Sequence, residues 1–213
     1  MNTDPKWRRR KTARPGEIEA AALEVFAERG FAAAKLEDIA ERAGLSKAAI
    51  YVYYPNKTEL FRAVVGARAA PDIETIAAIL ESADLPFADL ARAMLARMAE
   101  AMSRPGLRSL ARMVIAEGRN FPEIAQLWHD GVVARALAAM AAAIGRAQAR
   151  GEVRAGNPKL MALSLIGPMM LGALWIEVMV PAGGEPIDLT ALAAEHFATV
   201  ADGLLIKDEA RAA

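Results

Sequence analysis

The stretch LEDIAERAGLSKAAIYVYYPNKTEL, residues 36–60, decides how this chain is read. Glu37 and Asp38 sit where the first turn of a helix favours negative charge, and Gly44 ends that helix, predicted over 36–43. Ser46 offers a hydroxyl to cap a third helix over 47–53, and Pro55 stops it, because the residue before proline is driven out of the α region. Asn56, with Glu59 three residues later, forms a capping-box-like start for a fourth. Two short helices that cross steeply need small residues where they approach, apolar residues facing inward and a turn that tolerates positive φ. Ile39, Ala40, Ala43, Gly44, Leu45 and Ile50 meet those demands. The pattern is a helix-turn-helix.

Upstream, residues 16–30 place Ile18, Ala22, Val25 and Phe26 on one helical face, with Pro15 near the start and Gly30 as a stop. Downstream, Leu60, Phe61, Val64 and Val65 mark a connecting helix over 57–69, punctuated by Pro71. Beyond it, five or six longer and more apolar helices are expected, broken at Pro86, 104–106, 120–122, 156–158 and 181–186. No repeat or flexible linker separates the two parts, so the fourth helix is expected to join them rigidly. The expected organisation is a basic arm over 1–14, a helix-turn-helix domain over 15–61 and a larger helical domain over 70–213.

Composition agrees with an all-α fold. The 213 residues are 54% hydrophobic and 24% charged, rich in Ala and Leu and without the β-branched runs and Asn-Gly turns of hairpins. The chain has no cysteine, which excludes disulfides and thiolate chemistry, and its first residues, MNTDPKWRRRK, lack the apolar stretch of a secretory signal. A cytoplasmic location is expected. The zero net charge conceals an asymmetry: residues 1–68 carry 13 basic against 9 acidic residues, a net of +4, and the remainder a net of −4. Lys6, Arg8, Arg9, Arg10, Lys11 and Arg14 form an arm suited to phosphates.

An enzyme is not expected. There is no glycine-rich phosphate loop, and the two histidines, His129 and His196, fall on predicted helices. His129 with Asp130 is too sparse for a metal site, so neither a metal nor a cofactor is expected.

The 36–60 stretch resembles the TetR family signature, in which a helix of type xxDIAxxAGvS leads into a KgtlYyyFxNKeeL segment; with the first helix the likeness extends over about 15–61. Departures are Lys35 where the family often has Thr or Ser, Ala48 where Gly is common, and Val52 where a larger aromatic is frequent. The resemblance implies DNA contact by Ser46, Lys47, Tyr51, Tyr53 and Lys57, whose hydroxyl and ammonium groups are phosphate donors. Base reading falls to Lys47, Ala48 and Ala49 at the start of the recognition helix, with Lys35 and Val52 as further candidates. Tyr54 stands where the family keeps a buried Phe and is assigned to the core.

LMALSLIGPMMLGALWI, residues 160–176, is an uncharged run at the short limit of a membrane span. Gly167, Pro168 and Gly172 permit close packing and no basic cluster follows, which favours a helix buried all round in a soluble protein over a span. The TetR resemblance implies that helices over about 157–180 and 188–206 form a four-helix interface in a homodimer, hence a palindromic operator on double-stranded DNA. All methionines but the first lie after residue 90. Met adapts to varied apolar ligands, and also fills ordinary core. Met98, Met113, Trp128, Met169 and Trp175 are the candidates for lining an effector pocket, with Glu117, Asp130 or Glu177 available to orient a polar group unless they are solvated surface carboxylates.

Residues 107–152 also resemble, more loosely, the C-terminal domains of AcrR-like and AefR-like family members. The function implied is a transcriptional regulator, most simply a repressor, released from its operator when a small apolar ligand biases the tilt of the fourth helix. The alternative is a DNA-free helical ligand-binding or interaction protein with a vestigial helix-turn-helix.

Overall fold

The computed structural model describes the backbone of residues 6–82 and 85–205 and the side chains of residues 15–82 and 85–205. The all-α expectation is met: among the described residues the only strand-like pairing is an isolated bridge between Val153 and Leu205. By contact the chain divides into two units, Met1–Arg68 with Ser109–Trp128, and Ala69–Arg108 with His129–Ala213. Residues 109–128 thus group with the N-terminal helices and not with their neighbours in sequence.

The first unit holds α1 (Lys6–Ala33), α2 (Leu36–Arg42), α3 (Lys47–Tyr53), the start of α4 (Lys57–Glu81), most of α6 (Pro105–Glu117) and α7 (Pro122–Trp128). α1 begins earlier than the 16–30 helix expected from Pro15, and Gly30, at φ 75° and ψ 175°, breaks it before a last short turn. The side chains of the basic arm, 1–14, lie outside the described residues. Helices of seven residues do not persist alone in water, so α2 and α3 depend on what they bury. Ile18, Val25, Phe26, Ile39, Ile50 and Leu60 are fully buried. Phe31 stands amid Phe26, Phe61 and Phe121, with ring centroids 5.8, 5.6 and 5.2 Å away.

The second unit holds the end of α4, α5 (Phe87–Ser103), α8 (Ala134–Ala149), α9 (Pro158–Leu174) and α10 (Leu189–Leu204). α5 and α9 both pack against α10, and α8 packs against α9. α7 runs through a π-helical turn, His129–Val133, into α8, and α9 ends in another, Trp175–Met179. Six helices therefore follow α4 among the described residues, as the breaks in sequence suggested.

Pro71 does not end the fourth helix. α4 continues through it to Glu81. A proline inside a helix removes one hydrogen bond and crowds the preceding turn, at a cost of about 3 kcal/mol. The residues after it offset that cost. Asp72, only 2% exposed, is gripped by the guanidinium groups of Arg97 and Arg104, and Ile73, Ile76 and Leu80 are buried.

The apolar run on α9 also differs from expectation. Among the described residues α9 buries one face, through Met161, Leu165 and Met169, whereas Leu160, Leu163 and Leu171 are 65, 55 and 66% exposed. By length and composition the helices over 122–149 and 158–179 are apolar enough to cross a membrane.

Candidate nucleic-acid interface

The turn between α2 and α3 is built as its residues demand. Gly44 takes φ 65°, the Leu45 amide donates to the Ala40 carbonyl at 2.8 Å, and the Ser46 hydroxyl accepts the Ala49 amide at 3.2 Å to cap α3. Tyr54, extended before Pro55, closes α3, and Asn56 caps α4 by accepting the Glu59 amide at 2.9 Å. Arg42 bridges to Glu24 and Glu28, and Arg29 to Asp38, joining α1 to α2.

The inward face of α3 carries Ile50, and Tyr54 follows it into the interior. The Tyr54 hydroxyl donates to Glu19 at 2.6 Å, and burial, reinforced by that carboxylate, pushes the phenol well above its usual range. The core assignment of Tyr54 is therefore met. The opposite face carries Lys47, Ala48, Tyr51 and Val52, the last two 47 and 78% exposed, with Ser46 exposed at its start and Ala49 and Tyr53 half-buried beside it. Lys35 is exposed at the N-cap position of α2. Eight of the nine residues nominated for DNA thus lie at least partly open on the α2–α3 surface. Their chemistry is that of an interface: a hydroxyl, two ammonium groups and two phenols for phosphate, and small apolar groups for a base edge.

Lys57 is the exception. Its ammonium donates to the carbonyls of Phe31, Ala32 (3.3 Å) and Ala34 (3.0 Å), and lies 4.4 Å from the centre of the Phe31 ring. Burial lowers its pKa against the opposing pull of Glu117 and Glu123. All three donors are directed onto the α1–α2 turn, so Lys57 here braces that turn, a role its expectation as a phosphate contact did not include. Glu117 grips the same turn from the acceptor side, taking the amides of Phe31 (3.0 Å) and Ala32 (2.7 Å), and Arg112 donates to the Ala27 carbonyl at 3.1 Å. Sequence reasoning missed this role for Glu117, since more than eighty residues separate the partners and no local signal marks them.

The five residues nominated for an effector pocket do not share a unit. Met113 and Trp128 are buried in the first, and Met98 and Met169 in the second. Trp175, also in the second, is exposed and donates its indole N–H to the Glu185 carbonyl at 2.9 Å. Among the described residues, clefts of the second unit include two beside α10. One of about 450 Å³ lies between α9 and α10 beside Leu160, Ser164 and Thr199, and one of about 390 Å³ lies between α5 and α10 over Phe197. Neither is lined by the nominated residues. Glu177 pairs with Arg108 at 3.1 Å with both side chains largely buried, whereas Asp130 is an exposed partner of His129.

A capped helix-turn-helix with an exposed donor face, attached to a larger set of apolar helices, defines a DNA-binding regulator. Residues 18–64 match the family described as bacterial regulatory proteins, tetR family, and residues 87–202, over half of the chain, match the tetracyclin repressor-like C-terminal domain. The chain belongs to the TetR family of transcriptional regulators. A curated relative, the HTH-type transcriptional activator FasR of Mycolicibacterium smegmatis, is 46% identical over 52 residues, 24% of this chain and 24% of FasR, so the match spans about a quarter of that relative. Among solved structures, FadR of Bacillus subtilis in complex with stearoyl-CoA superposes with a TM-score of 0.72 at 18% identity, over 88% of this chain and 97% of that one. The complex of triclosan with SmeT, a repressor from Stenotrophomonas maltophilia, gives 0.72 at 24% identity over 92% and 93%. These two likenesses concern the fold. The family and the relatives are regulators, not enzymes.

Proposed function

We propose that the chain is a cytoplasmic repressor that binds a palindromic operator as a homodimer and leaves it on binding a small apolar molecule. The observation that carries the DNA half is the outer face of α3, where Ser46, Lys47, Ala48, Tyr51 and Val52 stand open around a buried Ile50. Lys47, Ala48 and Ala49 read bases, with Lys35 and Val52 beside them, while Ser46, Tyr51 and Tyr53 hold phosphates. The exposed leucines of α9 support a twofold pairing of residues 157–180 and 188–206 with a second copy, which makes the operator palindromic. Pairing of this kind, rather than a membrane, covers the apolar face of α9. Complexes of fold relatives with stearoyl-CoA and with triclosan support an apolar effector. Repression is the simplest way for released DNA to signal a ligand.

The purified protein is expected to shift a fragment of its own promoter region, and Lys47→Ala or Tyr51→Ala to weaken that shift. Unchanged binding in both variants removes α3 as the reading helix. By reciprocity an effector that releases DNA binds more weakly to the DNA-bound dimer, and equal affinity for both forms breaks the coupling.

A further inference from the structure

Among the charges on the α2–α3 surface, one pair has no part in joining α2 to the body of the unit. Arg42 and Asp38 reach back to α1. Glu37, in the first turn of α2, instead holds the ammonium of Lys47, in the first turn of α3. Both side chains are about half exposed, at 54 and 49%, and Lys47 lies 5.8 Å from the centre of the Tyr51 ring. The hydrogen bond from Lys47, then one from its own backbone, and then the charges of Lys47 and Lys35 hold the Glu37 carboxyl below its usual range, so it stays an anion. An exposed ion pair adds little to folding. Yet a carboxylate amid residues offered to DNA repels every phosphate, whatever the sequence.

We propose that Glu37 is a specificity-determining residue of the DNA interface: it occupies Lys47 so that this cation adds little to sequence-independent attraction, and yields it where a base edge offers an acceptor. The chemistry follows from what each group does in a major groove. Lysine donates to guanine O6 and N7, and a glutamate freed beside it accepts from cytosine N4. Against bare backbone the trade is poor, because Lys47 exchanges a carboxylate for a phosphate and Glu37 is left against negative charge. Non-specific binding, which rests on phosphate neutralisation, is therefore the state that Glu37 penalises.

This inference rests on the DNA-binding reading above, and one titration separates the two. Full-length wild type, Glu37→Gln, Lys47→Met, the double variant and Glu41→Gln, which removes an exposed α2 charge not paired with Lys47, are titrated at several salt concentrations. The probes are a promoter-region fragment and a scrambled fragment of equal length. Glu37→Gln is expected to bind scrambled DNA about three- to fivefold more tightly, with the salt dependence steeper by about one, and to change less on the promoter fragment. The ratio of specific to non-specific affinity therefore falls. In the Lys47→Met background the same change is expected to do no more than Glu41→Gln does alone. A Glu37→Gln effect equal to that of Glu41→Gln, or one that persists without Lys47, overturns the inference and leaves the DNA-binding reading intact. A wild type that binds neither fragment overturns both.

Discussion

In the helix-turn-helix unit nearly every strained or frayed piece of backbone has a partner: Ser46 and Asn56 cap helices, Lys57 takes three carbonyls and Glu117 two amides. Along α9 the situation is reversed, with the backbone satisfied by a long regular helix and the side chains left over, leucine after leucine exposed. Short helices cannot hold themselves, so the first region spends polar groups on fixing its own geometry and presents a finished surface. The second is stable as a helix but incomplete as a surface. One region is damaged through its internal bonds, the other through what covers it.

The sharpest way to break that contrast is to place a charge on the incomplete surface. At the twofold interface proposed above, Leu171→Glu would bury two carboxylates, and it is expected to weaken that dimer by about 4 kcal/mol, roughly a thousandfold. The folded monomer should change by less than about 0.5 kcal/mol, because Leu171 is 66% exposed in the single chain. Sedimentation at several concentrations together with urea unfolding reads both quantities. A variant that stays dimeric places the interface elsewhere.

In the finished region an internal change should act the other way, on folding itself. Gly30 sits at φ 75° and ψ 175°, backbone that is nearly exclusive to glycine, and an added Cβ would lie 2.1 Å from the Glu117 carboxylate oxygen. Glu117 can move aside only by releasing the amides of Phe31 and Ala32. Gly30→Ala is expected to cost about 3 kcal/mol in urea unfolding. Gly44→Ala, also at positive φ but with open space around the added carbon, should cost about 1 kcal/mol, so the difference reports the stricter backbone of Gly30 and the Glu117 grip together.

How far each region was legible follows from the range of its interactions. The turn at Gly44, the cap at Ser46 and the stop at Pro55 depend on residues within a few positions of one another, and the sequence displayed all three; the burial of Tyr54 was legible only through the family resemblance, its hydroxyl partner Glu19 lying on another helix. The bracing role of Lys57 was not legible because its partners at Phe31, Ala32 and Ala34 lie outside its own helix, while its own surroundings look like any helix N-terminus. Pro71 was taken for a stop because its local cost is plain and the compensating grip on Asp72 comes from Arg97 and Arg104. The apolar run of α9 showed that something must be buried, but hydrophobicity has no direction, and among the described residues Leu160, Leu163 and Leu171 stay exposed. Met98, Met113, Trp128, Met169 and Trp175 were grouped by residue type, which says nothing of which unit each one joins.

The revised role of Lys57 is itself a test of the contrast. As a strut, Lys57→Met should lose about 2 kcal/mol of stability, through three carbonyls left without a donor, and leave the salt dependence of DNA binding unchanged. As a phosphate contact it would do the reverse, flattening that dependence by about one with little effect on unfolding.

Ser46 is where the two kinds of role meet, since its oxygen caps α3 while its hydroxyl proton remains for a phosphate. Ser46→Ala removes both and should cost about 1 kcal/mol of stability along with a modest loss of DNA affinity. Ser46→Asp separates them. Aspartate caps a helix as well as serine does, and its charge suits the helix N-terminus, so unfolding should stay within about 0.5 kcal/mol of wild type. The same charge faces the DNA backbone, so at low salt binding should fall further than in the alanine variant, and the gap between the two should narrow as salt is raised to screen the repulsion. Should the aspartate variant bind as well as wild type while the alanine variant binds poorly, Ser46 would contribute to recognition only by holding α3 in shape, and the face presented to DNA would begin at Lys47.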